Sequence, residues 1–367
     1  MTGSVNKIIV MILILMSFCS CPQKKEKMEQ DILILVEKLT FDAEKDDLAK
    51  KGLYDFTSFD LDSEGNIYLW CQTGREYLIF RFDENGNFAN ALGRNGKGPG
   101  EVEFISNLTV INQNEIAITD YGNKKFLIFS KDGEIRKEMR IDANIWAIIP
   151  LENKNYIIVR KLADLEGEYI FEFPLTLCDS EFNEIKELDS QKIPNFIKKK
   201  NLKPKPYIFS WSLSNGKLHI ANEDRGYEIW IFDLGGNLLR KIKKEYRNVS
   251  SEEYLKDFGK GESKAAPQNE KFAVPKQMPP IQSFFTDDEG RVFVITYEKG
   301  KNAGEYMTDI FSPDGEWIGK KSLYRIKAMM PASPAYAYTK AQKNELFCLR
   351  EKKRGYKELA IYKMLWR

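Results

Sequence analysis

Six times along this chain the same arrangement recurs. A short apolar or aromatic run meets a tight turn, a second run comes after it, and a second hairpin repeats the pattern. The first copy reads "FDLDSEGNIYLW" (Phe59 to Trp70), then "YLIFRFDENGNFANAL" (Tyr77 to Leu92). Later copies cover Leu108 to Ile141, Ala147 to Leu188, Trp211 to Ile242, Phe284 to Leu323 and Ala335 to Arg367. Their first turns carry Gly65, Asn114, Asn155, Gly216, Gly290 and Asn344. The second turns carry Gly86, Gly133, Asn183, Gly236 and Gly315. These residue types tolerate the positive φ that tight hairpins impose. Between them stand β-branched and aromatic residues, which suit a pleated, buried surface. Two hairpins in series make a four-stranded meander, and a repeated meander predicts blades around a channel.

The sixth copy stops after its third strand, at Arg367. The apolar "ILILVEKLTF" (Ile32 to Phe41) has no partner near it in sequence. It is either a stray amphipathic piece or the missing fourth strand, which would leave no open edge between first and last blades. The expectation is an all-β, six-bladed β-propeller of four-stranded antiparallel blades over residues 32–367, closed by an N-terminal strand joining the last blade.

Composition narrows the function. Hydrophobic residues are 43% and charged residues 30% of 367, which is a globular balance. The net charge of +2 gives no reason to expect a nucleic-acid partner. A single histidine, His219, removes most histidine-rich metal sites and leaves room for at most one Ser-His or Cys-His pair. It sits in "KLHIANE", a strand-like stretch, and reads as a structural imidazole. Cys71, Cys178 and Cys348 make no metal-ligand spacing and read as buried small apolar side chains.

The N-terminus resembles a secretory signal: Lys7, then the apolar Ile8 to Met16, then "SFCSC". A cysteine just past such a core is similar to a bacterial lipobox, where the thiol is lipidated. Cys21 fits better than Cys19, because small Ser20 precedes it where bulky Phe18 precedes Cys19; Phe18 also departs from the leucine usual three positions before. Residues 1–21 then form the signal and lipidation site, and 22–31 a solvated tether. Uncleaved anchoring or plain secretion are the alternatives. The expected address is the bacterial cell envelope.

Between the first and second copies lies "LGRNGKGPGE" (Leu92 to Glu101). A phosphate loop needs Gly-x-x-x-x-Gly-Lys-Ser/Thr opening a helix, and the adjoining stretch, "VEFISNLTVI", is strand-like. The glycines instead let the chain cross from an outer strand to the next inner one. Pro99 stiffens the crossing, and Glu101 accepts nearby backbone donors. With "PPIQSFFTDDEGRVFVITY" (Pro279 to Tyr297), this loop resembles the six-bladed β-propeller lipoproteins of bacteria, relatives of the NHL-repeat propellers. Val102 stands where that family commonly has Phe, and Phe104 comes two positions later. The resemblance implies the fold over nearly the whole mature chain and no particular activity.

Two further connectors are long: Gln191 to Phe209, basic and proline-broken, and Asn248 to Pro280, opening with a capping box at Ser250 and Glu253. Both should lie on the rim that also carries the loops between second and third strands. Five of those six loops hold cations, among them Arg75, Lys124, Arg225, Lys299 and Arg354; Lys97 adds one from the crossing. The third loop, with Asp164, Glu166 and Glu168, is acidic. Either the ring of cations focuses field on an anionic ligand or it is an ordinary solvated rim. Trp146 and Trp211 begin inner strands, where an indole either stacks on a ligand or fills the wedge between blades.

The function expected is therefore an envelope protein that binds a protein or glycan ligand on its loop-rich rim as a monomer, with Arg75, Lys97, Lys124, Trp146, Trp211, Arg225, Lys299 and Arg354 as candidate contacts. No nucleotide is expected. The alternative is a calcium-dependent hydrolase or lyase of the lactonase type with its site at the channel mouth; Asp60, Asp120, Glu223 and Asp287 lie at strand ends, but their distribution over both rims gives no cluster and no metal ligand is assigned.

Overall fold

The computed structural model describes residues 32–42, 44, 48, 50, 53, 56–72, 76–164, 166–195, 209–252, 276–324, 338–352 and 357–367. A strand, β1 (Leu33–Asp42), comes first and is set aside for the last blade. Blade 1 is β2 (Ser58–Leu61), β3 (Ile67–Trp70), β4 (Tyr77–Phe82) and β5 (Phe88–Arg94). Blade 2 is β6 (Ile105–Asn112), β7 (Glu115–Asp120), β8 (Lys125–Ser130) and β9 (Ile135–Arg140). Blade 3 holds β10 (Ile145–Pro150), β11 (Tyr156–Arg160), β12 (Leu162–Ala163), β13 (Tyr169–Cys178) and β14 (Glu184–Pro194). Blade 4 is β15 (Phe209–Ser214), β16 (Lys217–Asn222), β17 (Glu228–Asp233) and β18 (Leu238–Lys243). Blade 5 is β19 (Ser283–Thr286), β20 (Val292–Lys299), β21 (Glu305–Phe311) and β22 (Trp317–Tyr324). Blade 6 is β23 (Thr339–Gln342), β24 (Glu345–Glu351) and β25 (Lys357–Trp366), and β1 pairs with β25 as its fourth strand.

The ring is explained by how each strand is covered. Middle strands such as β3 and β7 are buried along nearly their whole length, because both faces of a blade meet neighbouring blades. That is why the sequence shows continuous apolar runs there and not strict alternation. Outer strands such as β9 and β18 are mostly exposed. Each interface between successive blades holds its own apolar cluster. Tyr68 and Trp70 of blade 1, for example, pack against Ile105 and Ile118 of blade 2. Phe347 and Leu349 of blade 6 pack with Phe59 and Leu69 of blade 1, so the last wedge closes the circle.

First strands line the centre and are stitched by polar contacts. Lys340 of β23 pairs with Asp60 of β2, whose carboxylate also accepts the Val110 N–H of β6. The Ser212 and Thr286 hydroxyls meet at 2.7 Å between β15 and β19. Gln342 donates to the Asp62 carbonyl at 2.7 Å.

The loops fall on two rims. First-to-second and third-to-fourth turns share one, here the turn rim. Second-to-third loops and the crossings between blades share the other, the loop rim. On the turn rim an Asp begins several turns and accepts from residues two and four positions on. Asp83 accepts the N–H groups of Asn85 and Asn87 and the Asn87 amide; Asp179 and Asp233 do the same with Asn183 and Asn237. The asparagine amides hold all three carboxyls below the usual range.

The sequence reading expected four strands in every blade. Blade 3 keeps this plan but lengthens it. Its β13 and β14 run past the end of β11, and β12 carries the line of β11 further along β13 in the same register, through Leu162–Glu172 and Ala163–Phe171 pairing. Gln191 to Pro194, expected as connector, continue β14. The apolar Ile170, Phe171 and Phe173 extend the sheet, where a plain crossing would have none. Of the long connectors, residues 196–208 and 253–275 lie outside the described residues, as does Glu253 of the expected capping box. The base of the second is a short antiparallel contact: Ser250 bridges Gln277, and Met278 N–H reaches the Val249 carbonyl at 2.9 Å.

Candidate ligand-binding rim

The Gly-Pro-Gly-Glu crossing is a closed piece of structure. Glu101 turns back so that its carboxylate accepts the Gly98 N–H at 2.8 Å, and its own N–H bonds the Gly98 carbonyl. A Cβ on Gly96 would lie 2.1 Å from that carboxylate, so only hydrogen fits there. Gly96 N–H bonds Val102 O, and Gly100 N–H bonds Glu138. Lys125 donates to the Gly98 carbonyl at 2.7 Å and pairs with Glu138 at 2.8 Å. Donors that would cradle a phosphate are consumed internally, and the loop is a connector, as its sequence suggests.

What the crossing does is deliver Phe104. Val102 is fully buried between blades 1 and 2, and Phe104 is carried onto the loop rim, 36% exposed. Asp120, at the end of β7 and fully buried, fixes it there. Its carboxylate accepts the N–H groups of Glu103, Phe104, Gly122 and Asn123, and the Asn123 amide. Gly122 permits the approach: a Cβ there would stand 3.0 Å from both the Phe104 nitrogen and its Cβ. Tyr121, which stands between Asp120 and Gly122, is thereby set beside Phe104 and bonds its carbonyl at 2.9 Å.

The result is an aromatic cluster on the loop rim. Ring centroids lie 5.0 Å apart for Tyr121 and Trp146, 6.4 Å for Phe104 and Tyr121, and 6.5 Å for Phe104 and Trp146. The planes meet at 55° to 66°, so the rings touch through edges and tilted faces. Lys124 sits 3.4 Å from the Tyr121 centroid and donates to the Tyr121 carbonyl. Lys161 lies 5.2 Å from the Trp146 ring and 4.6 Å from Phe171 on the blade 3 extension. The extension thus stands beside the cluster, and the strip of loop rim the two share is the trough.

Sequence-predicted contacts divide accordingly. Lys124 and Trp146 meet around Tyr121. Lys97 stands close by on the crossing, 77% exposed and paired with Glu103 at 3.2 Å. Arg225 is elsewhere, tied to Asp189 at 2.6 Å and lying 4.2 Å from the Trp230 ring. Trp211 packs into the wedge between blades 3 and 4 against Phe209. Lys299 ends β20 opposite Tyr306. Arg75, Arg354 and Cys21 lie outside the described residues. Sequence reasoning does not reach Phe104, Tyr121, Lys161 and Phe171 as site residues; the one trace is Phe104 displaced from its family position.

Asp60, Asp120, Glu223 and Asp287 are spread out. Asp60 faces Lys340 in the channel, Asp120 is spent on backbone donors, Glu223 starts a 3-10 turn, and Asp287 caps a turn through Arg291. Among the described residues no three acidic, His or Cys side chains converge where a metal ion could sit. On the turn rim a hollow of about 890 Å³ is lined by Asp62, Asn112, Asn114, Arg136 and Glu152 among others, with charges of both signs and no aromatic ring. It offers no comparable platform.

Residues 61–206 match the family DUF5128, described as a 6-bladed beta-propeller. Among solved structures, a member of the DUF4221 family from Bacteroides vulgatus is 14% identical, covering 92% of this chain and 100% of its own, with a TM-score of 0.51. The chain is a six-bladed β-propeller. This propeller also aligns with a gluconolactonase from Xanthomonas campestris, at 11% identity over 86% of this chain and 89% of that one, TM-score 0.43. A virginiamycin B lyase from Staphylococcus aureus aligns at 9% identity over 91% and 100%, TM-score 0.40. Likeness this slight carries nothing about chemistry. No curated protein matches the sequence.

Proposed function

We propose that this propeller is a binding protein of the bacterial envelope, anchored by a lipid on Cys21, that takes a protein or glycan ligand in the loop-rim trough. The observation carrying the proposal is the convergence of exposed Phe104 with half-buried Tyr121 and Trp146, the last also packed against the core between blades 3 and 4, with Lys124 and Lys161 laid against the rings. Aromatic residues kept at a surface by a dedicated carboxylate and a dedicated glycine serve recognition better than packing. Each stacked ring contributes on the order of 1 kcal/mol, so losing Trp146 weakens a ligand by about fivefold.

The test is a glycan array and a panel of envelope proteins, probed with the wild-type chain and with Trp146→Ala. Binding that drops in the variant supports the rim. Equal binding by both removes it. The alternative calcium-dependent enzyme separates in the same samples, because chelation leaves a simple binder unaffected. For the anchor, a Cys21→Ser chain should lose its acyl mass and leave the membrane fraction; unchanged fractionation without an acyl group on the parent defeats it.

A further inference from the structure

We infer that the trough recognises an acidic glycan, a chain of sugars carrying carboxylates, with the aromatic rings under the sugar faces and Lys124 and Lys161 on the acid groups. This rests on the reading of the rim as the ligand site and names its ligand class.

The argument is about which charges are already spent. Several other cations on this face are matched by acids: Lys97 by Glu103, Lys125 by Glu138, Arg225 by Asp189, Lys192 by Glu172, and Lys352 by Asp42 and Glu44. Lys124 and Lys161 differ. Among the described residues neither ammonium has a carboxylate within ion-pair distance; each rests on aromatic rings. The ring holds the long side chain in place, and the ammonium keeps donors to spare: Lys124 spends one of its three on the Tyr121 carbonyl. Ordering that side chain before binding lowers the entropy lost when an anion arrives.

The rings set the second requirement. Tyr121, Trp146 and Phe104 meet at tilted angles, so none is stacked face to face on another; Lys124 covers one face of Tyr121, and Phe104, 36% exposed, is the ring most open to a sugar. A pyranose presents a face of polarised C–H bonds that suits the negative face of an aromatic ring. Lys124 lies against Tyr121 and Lys161 against Trp146, so the two cations flank two adjacent rings. A uronate sugar carries both features, an apolar face and a carboxylate at the ring edge, on every residue of the polymer. Nucleic acid would need a basic surface that a chain of net charge +2 does not supply.

The experiment is calorimetric titration of the intact chain with oligogalacturonate and oligoalginate, and with the same oligosaccharides reduced at carboxyl to neutral sugars. Binding of at least one acidic probe is expected, with the reduced form weaker by about tenfold and the affinity falling as salt rises. Lys124→Gln/Lys161→Gln should bring the acidic probe down to the level of the neutral one, and Trp146→Ala should weaken both. Equal binding of acidic and reduced forms, lost in Trp146→Ala, overturns the acid preference and leaves the rim reading intact. No binding of either acidic probe, or binding indifferent to all these variants, overturns the inference. Thermal unfolding of each variant alongside wild type shows that the fold is retained.

Discussion

His219 is the chain's one imidazole, and the fold has no electrostatic use for it. It lies on β16, 3% exposed, opposite Ser212 on one side and Ile231 on the other. Burial pushes its pKa down to about 4. The folded protein therefore keeps it neutral at pH 5, where an unfolded chain, titrating near 6.5, has taken up the proton. Stability from this group is full above pH 6.5 and is lost as pH falls toward 4, by about 3 kcal/mol in all. His219→Gln should flatten that part of the profile. Urea unfolding at pH 7.5 and 4.5 measures it, and an identical pH loss in both proteins would refute the assignment. The structural reading of this residue was available from its strand context. So was that of Cys71, Cys178 and Cys348, all buried, with the Cys178 thiol pushed up by burial away from reactivity.

At the level of elements, the crossing into blade 2 and the loop after β7 behave as one unit, because Asp120 holds both. Replacing it by Asn sets an amide against backbone donors that now face a weaker acceptor and a second donor, with no compensating acceptor nearby. Asp120→Asn should lose about 3 kcal/mol by urea unfolding, and it should change Trp146 fluorescence as Phe104 and Tyr121 part. Loss of stability with an unaltered ring environment would mean that Asp120 merely supports β7. The strands and turns were readable because hairpin chemistry is local: Gly86 and Asn183 announce their turns without help. The Asp at the start of such turns was equally local and went unused; Asp83, Asp179 and Asp233 recur four residues before an Asn. The trough was not readable in the same way. Phe104, Tyr121, Lys161 and Phe171 come from four separate segments, and nothing in their spacing reveals that blade 3 extends upward to bring Phe171 and Lys161 beside Trp146. Arg225 shows the converse: a rim cation by position, it is spent on Asp189, a partner far away in sequence.

For the whole molecule, closure depends on β1. Leu33 is fully buried in the cluster between blades 5 and 6, and Phe41 in the one between blades 6 and 1, so a single strand seals two wedges. Ion pairs from Lys38 to Glu345 and Glu37 to Arg350 fasten it to blade 6. Leu33→Ala should cost about 3 kcal/mol. Leu33→Asp should go further, releasing β1 and leaving β25 as an open edge that recruits other chains. Light scattering beside urea unfolding tracks both effects; a Leu33→Asp protein that stays monodisperse with wild-type stability would show that the ring closes without this strand.

The direction in which β1 is laid down has its own consequence. Leu33 opposes Trp366, and the end of β25 lies at the turn rim, where Met364 N–H meets the Asn344 carbonyl. The chain therefore comes into the disc from beneath, on the side away from Tyr121 and Trp146. The strand that seals the last blade thus starts at one rim, while the aromatic cluster of Phe104, Tyr121 and Trp146 belongs to the opposite one.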